Sequence, residues 1–139
     1  MIILDTNVLS AVMRGEPDPR VVAWLDRQPA DSIWITAITV FETREGLALL
    51  PDSQRRQSLE LAFVLLLRDD LENRVLNFDA EAAVAAAALA AKRRMAGKTA
   101  DVRDTAIGGI AISRRATLAT RNGRHFEDLD VAVVNPWTA

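Results

Sequence analysis

Short apolar runs alternate along this chain with longer stretches of helical spacing. Residues 2–4, 33–36, 74–78, 117–120 and 131–134 read as five strands. The first is apolar on both faces, which suits a strand buried in the middle of a sheet. Helical spacing appears at Val8, Leu9 and Val12, and again at Val21, Trp24 and Leu25. A third helix is predicted over 38–50, ended by Pro51. A fourth starts at Asp52 or Ser53 and runs through Leu67, with Leu59, Ala62, Phe63 and Leu66 on one face. Asp79 caps a long alanine-rich helix to about Met95, and Gly97 ends it. A sixth helix starts near Asp101 and runs through Arg115. Residues 121–126 read as a loop. Strands separated by helices predict an α/β fold with a mostly parallel sheet.

Composition narrows the chemistry. A chain of 139 residues suits one domain spanning 1–139. It has no cysteine, which excludes disulfides and thiolate metal sites, and a reducing cytoplasm is the expected home. A single histidine cannot build a His-rich zinc site. Nineteen acids against seventeen bases leave a net charge of −2, so nucleic-acid binding requires a local basic patch. The apolar run over 82–91 is too short for the ~18 residues of a membrane span. No stretch reads as a targeting signal, because the apolar start lacks a basic region and stops at Asp5.

Three acids stand near the start of helices: Asp5, Glu42 and Asp104. Each has a local explanation. Asp5 suits a helix N-cap. Glu42 follows Thr39 at capping-box spacing. Asp104, three residues after Asp101, suits the first turn of a helix. Context adds to this. Asp104 precedes the pair Gly108 and Gly109, which weakens a helix by about 1 kcal/mol per residue relative to alanine. A helix that keeps both is expected to lie against another backbone, with Asp104 at the edge of that packed face. Carboxylates beside buried surface are costly unless paired or bound to a cation. All-oxygen donors without thiolate or imidazole suit Mg²⁺ or Mn²⁺.

Several stretches in order are similar to one known family. They are residues 3–9 (from Ile3 through Asp5, Thr6 and Asn7), 36–42 (ending at Glu42), 104–111 (from Asp104), 119–122 and 134–137. The chain resembles the PIN-domain ribonucleases, and among them the VapC toxins of bacterial toxin–antitoxin pairs, FitB-like members most of all. The resemblance covers nearly the whole chain. It implies a PIN-like three-layer α/β/α sandwich with a sheet of about five strands. It also implies an acidic pocket for Mg²⁺ or Mn²⁺ and hydrolysis of RNA. Asp5, Glu42 and Asp104 stand at the family's first three acidic positions, as catalytic residues and metal ligands. Thr6, Thr120 and Asn122 are supporting candidates. The family often has a fourth acid where this chain has Asn122, which accepts a contact but brings no charge and leaves the number of metals open.

The resemblance also implies a homodimer and a cognate antitoxin with a DNA-binding domain. That antitoxin's tail would fill the acidic groove. Arg103, Arg121 and Arg124 lie beside motif residues as candidates for RNA phosphates. The clusters at 92–94 and 114–115 read as solvated helix ends, and His125 as solvated and idle. The alanine-rich helix suits either close packing between subunits or a place in the core. Two alternatives remain open at this point. One is a weakly active or inactive PIN protein acting mainly as the regulatory partner of a DNA-binding antitoxin. The other is a DNA-directed nuclease, which the short chain disfavours.

Overall fold

The computed structural model describes residues 1–99 and 101–139. Five strands are described: β1 (Ile2–Leu4), β2 (Ile33–Thr36), β3 (Val75–Leu76), β4 (Thr117–Ala119) and β5 (Val133–Val134). They form one sheet in the order β3-β2-β1-β4-β5, and every neighbouring pair is parallel. Six α-helices connect them: α1 (Thr6–Met13), α2 (Pro19–Asp26), α3 (Ala37–Ala48), α4 (Gln54–Leu65), α5 (Ala80–Met95) and α6 (Val102–Arg114).

Period-two alternation sorts the strand residues onto two faces. Leu4, Ile33, Ile35 and Ala119 share a core with Val8, Leu9, Val21, Trp24, Leu47 and Phe63 from α1–α4. Ile3, Leu76 and Leu118 share the other with Ala82, Leu89, Ile107 and Ile110 from α5 and α6. Helices therefore cover both faces, giving the three-layer α/β/α arrangement. The alanine-rich α5 buries one stripe, Ala82, Ala86, Leu89 and Arg93, and leaves its other side exposed at Val84 and Met95. A Cβ on Gly109 would stand 2.6 Å from both the Ala82 carbonyl oxygen and the Ala86 Cβ. The glycine is what lets α6 touch the α5 backbone.

Polar caps start the helices. Asp5, Asp18, Thr36, Ser53, Asp79 and Asp101 each accept from a backbone N–H in the first turn of α1 to α6 in turn. The capping box that the spacing of Thr39 and Glu42 allows is not formed. Thr36 caps α3 by accepting from Thr39 N, so Thr39 lies inside the helix and Glu42 in its second turn. The reason is that β2 ends at Thr36 and the helix begins at once.

Two edge strands are shorter than their apolar runs. β3 pairs only where Ile35 and Thr36 of β2 offer partners. β5 pairs only with Leu118 and Ala119. The fourth helix does not run on regularly through Leu67. Its α-helical part stops at Leu65, and a π-helical turn follows over Leu66–Asp70. No helix of the described residues is long and apolar enough to cross a membrane.

Strand order decides where a site forms. From β1 the chain moves to β2 and β3 on one side, then returns to β4 and β5 on the other. The carboxyl ends of β1 and β4 flank that switch, where the helices diverge and leave a crevice.

Candidate active site

Asp5 directly follows β1 and Thr120 directly follows β4, so both sit at the switch. Asp5 is only 5% exposed. Its Oδ1 accepts the Thr6 N–H at 2.9 Å, and its Oδ2 accepts the Thr120 hydroxyl at 2.7 Å and the Asn7 Nδ2 at 3.2 Å. Burial pushes the Asp5 carboxyl above its ordinary value. The bonds from Thr120 and Thr6 oppose that shift, Asp104 adds to it, and His125 opposes it.

Glu42 reaches the same crevice from α3. Its Oε1 accepts the Thr6 hydroxyl at 2.9 Å, and that hydroxyl lies 3.1 Å from Thr39 Oγ1. A hydroxyl has one proton to give, so Thr39 donates to Thr6 when Thr6 donates to Glu42. Burial raises the Glu42 carboxyl as well, with the Thr6 bond opposing, Asp5 adding, Arg103 opposing and Asp104 adding. The three acids thus lie within one another's electrostatic reach.

Asp104 arrives from the first turn of α6. Its N–H donates to the cap Asp101 at 3.0 Å, and its Oδ2 stands 3.2 Å from His125 Nδ1. The expectation of an idle His125 is corrected: the ring is exposed, but it touches Asp104. A short 3₁₀ turn, Gly123–His125, presents it.

Arg93 explains why that turn stays in place, and it corrects the solvated reading at that one position, since Lys92 and Arg94 are exposed. Its side chain is 6% exposed. It donates to both carboxylate oxygens of Asp128 at 2.9 Å, to the His125 carbonyl at 2.6 Å and to Thr105 Oγ1 at 3.3 Å. Arg93 faces inward because α5 packs that side onto α6. Its partner lies 35 residues on, so no local spacing pointed to it.

The supporting candidates divide. Thr6 and Thr120 both bond the acids. Asn122 meets the site through its backbone, donating its N–H to Thr120 Oγ1 at 3.0 Å. Asn7, named in the first matching stretch but given no role there, bonds Asp5 and accepts the Arg121 N–H at 3.1 Å. Its position two residues after Asp5, at a helix start, was the available signal. Among the arginines, Arg103 pairs with Glu45 at 3.1 Å, lies 3.9 Å from Glu42 and covers the Phe41 ring. Arg121 stacks over Trp137. Arg124 makes no ion pair among the described residues.

Among those residues no three His, Asp or Glu side chains are gathered tightly enough to hold one ion directly. The donors nonetheless fit Mg²⁺ or Mn²⁺. They are hard oxygens, and such an ion keeps several waters and takes one or two carboxylates itself. The raised carboxyls of Asp5 and Glu42 are the ones a cation would relieve. A groove of about 840 Å³ opens beside Thr6 and Glu42, walled by Met13, Leu47, Leu59 and Ala62 with Arg14 and Arg55. Thr43 also lines it, and its buried Oγ1 lacks a hydrogen-bond partner.

Known proteins resemble this chain over nearly its whole length. The PIN domain model matches residues 2–132. The plasmid stability protein StbB of Pseudomonas syringae pv. tomato is 41% identical over 139 residues, all of both chains. The VapC ribonuclease Y4jK of Sinorhizobium fredii is 37% identical over 99% of this chain and 98% of its own. The toxin FitB of Neisseria gonorrhoeae is 37% identical over 99% of each. The crystal structure of FitAcB from the same organism superposes with a TM-score of 0.90 at 37% identity, covering 100% of both chains. A FitAB complex bound to a DNA fragment gives 0.89 at 37% identity, over 99% of this chain and 96% of that one.

Proposed function

The chain belongs to the PIN-domain family and, within it, to the FitB-like VapC toxins, and from that membership we propose that it is a toxin that cuts RNA by Mg²⁺- or Mn²⁺-assisted hydrolysis. The observation that carries this reading is the buried Asp5. It sits at the switch of a parallel sheet, within electrostatic reach of Asp104 and Glu42, and has no ion-pair partner among the described residues.

Asp5 and Asp104 would hold the ion directly. When bound, it supplies a nucleophilic water near neutral pH and offsets charge at the phosphoryl group. Glu42 acts beside it. Thr6 occupies Oε1, and Oε2, which stands 3.9 Å from Arg103, would orient the attacking water and accept its proton. Thr6, Thr120 and Asn7 hold the carboxylates of Asp5 and Glu42 in place.

Its partner in this reading is an antitoxin with a DNA-binding domain. We seat the antitoxin's tail in the groove beside Glu42, where apolar walls and the unpartnered Thr43 hydroxyl offer contacts. A FitAB complex on DNA supports operator binding by such a pair. A second copy would cover the exposed Leu61, Val64 and Leu65 of α4. The setting we propose is the cytoplasm, as one domain spanning 1–139.

The test is incubation of partner-free protein with single-stranded RNA, single-stranded DNA and duplex DNA, with Mn²⁺ or chelator. RNA cleavage that needs the metal is expected. A folded protein that leaves RNA intact in Mn²⁺ would instead favour a purely regulatory partner of the antitoxin. Preferential cutting of DNA would point to a DNA-directed nuclease.

A further inference from the structure

Asp104 also lines a separate cavity of about 260 Å³ that neither Asp5 nor Glu42 borders. Arg93 and Asp128 form a fixed part of its wall, and Lys98, Arg124 and His125 line the remainder with Thr99 and Asp101. The charges in it are unevenly used. Arg93 neutralises Asp128 through two bonds of 2.9 Å. Asp101 is engaged as the α6 cap, accepting from the backbone of Arg103 and Asp104. His125 bonds Asp104. Lys98 and Arg124 make no ion pair among the described residues and stand as two cations without a carboxylate contact, in a wall that also holds the charges of Asp101 and Asp104. The Arg93 bond to the His125 carbonyl holds the turn that carries Arg124.

We propose that this cavity binds a backbone phosphate of the RNA strand, neighbouring the one that is cut. The identity of the strand rests on the ribonuclease reading. The scissile phosphate belongs where Asp5 and Glu42 act, and they are absent from this cavity, so the phosphate bound here is a different one. Lys98 supplies a compact charge and Arg124 a fork of donors, the two side-chain types that bind phosphate. The strand then leaves the acids across the Gly123–His125 turn. It does not run by way of Arg103, which Glu45 and Phe41 already engage.

The experiment is binding of a labelled single-stranded RNA in chelator, followed against salt concentration. It compares the parent, the double variant Lys98→Gln/Arg124→Gln, and Arg94→Gln/Arg115→Gln as a control of equal net charge. Each single-strand phosphate contact contributes about 0.7 to the slope of log affinity against log salt. The double variant is expected to bind on the order of 10-fold more weakly, with a slope shallower by about 0.7. Unchanged affinity and slope overturn the subsite, and so does an equal loss in Arg94→Gln/Arg115→Gln. Cleavage in Mn²⁺ is followed alongside. If the parent cuts RNA while the variants bind alike, the subsite fails and the nuclease reading stands. If the slope changes as expected but the parent does not cut, the subsite stands and the nuclease reading fails.

Discussion

Thr120 donates its hydroxyl to Asp5 Oδ2 at 2.7 Å, tying the ends of β4 and β1 across 115 positions of sequence. The bond opposes the upward push that burial gives Asp5. It also shares out Asp5's lone pairs, with Thr6 on one oxygen and Thr120 and Asn7 on the other. The site is thus held from two strands that meet only in the folded sheet.

Replacing Thr120 by valine keeps the shape and removes the bond. Loss of a hydrogen bond to a charged group costs about 1.5–3 kcal/mol. Loss of an orienting partner typically weakens metal binding or activity about 10–100-fold. Thr120→Val is therefore expected to need more Mn²⁺ for half-maximal cleavage. An unchanged Mn²⁺ dependence would show that Asp5 does not rely on this bond.

The pH dependence of stability has a definite sign. Asp5 and Glu42 sit above their ordinary values of 3.8 and 4.5 in the fold. Below those values both folded and unfolded chains are protonated, and the acids contribute no penalty. As pH rises from there through the folded values, the unfolded chain ionises first, and stability falls. A tenfold difference in proton affinity between the two states corresponds to about 1.4 kcal/mol. Asp128 runs the other way, because Arg93 lowers it and its contribution is lost on acidification. Comparing the parent with Asp5→Asn cancels that background. In urea melts without metal, Asp5→Asn should gain on the parent as pH rises from about 4 to about 7. A gain that shrinks with rising pH would contradict the burial account of Asp5.

Two glycines separate packing from propensity. Gly46 lies inside α3, where an added methyl would meet nothing within 4 Å, whereas Gly109 faces the α5 backbone at 2.6 Å. Gly46→Ala should stabilise by about 0.5–1 kcal/mol. Gly109→Ala should destabilise by about 1–3 kcal/mol or more, since backbone cannot swing aside as a side chain does. Thermal melts of the two variants check both, and equal shifts would remove the close approach of α5 and α6 as a requirement.

The Arg93–Asp128 pair tests how the turn beside Asp104 is held. Arg93→Met leaves Asp128 unpaired and should cost about 3 kcal/mol. Adding Asp128→Leu should recover much of that stability while leaving the His125 carbonyl without its donor. Chemical denaturation of the single and double variants gives the coupling. Additive losses would mean that the pair acts as two independent residues.

The fold's alternation and the position of Asp5 were legible because both are local. An apolar run ending in an acid marks a strand end whatever the rest of the chain does. Glu42 stands at the crevice, and the capping box that its spacing from Thr39 also allowed is not formed. Thr36 and Thr39 both stand three residues before a possible partner, and only the end of β2 at Thr36 decides between them. Arg93 sits in a charge run that reads as a solvated helix end, and what buries it is the α6 surface opposite. The contacts of Asp5 with Thr120, of Arg93 with Asp128 and of Asp104 with His125 all join distant parts of the chain. Periodicity says which residues face inward, and it does not say which of them meet.

The central claim is that Asp5 and Asp104 form a divalent-metal pocket. Calorimetric titration of Mn²⁺ into the parent and into the Asp5→Asn/Asp104→Asn double variant tests it most directly. Circular dichroism of both proteins establishes that each is folded. Saturable binding by the parent that is lost in the variant is the predicted result. A folded, partner-free parent that takes up no Mn²⁺, or a variant that binds it as well as the parent, would contradict the claim and leave Asp5 as the cap of α1.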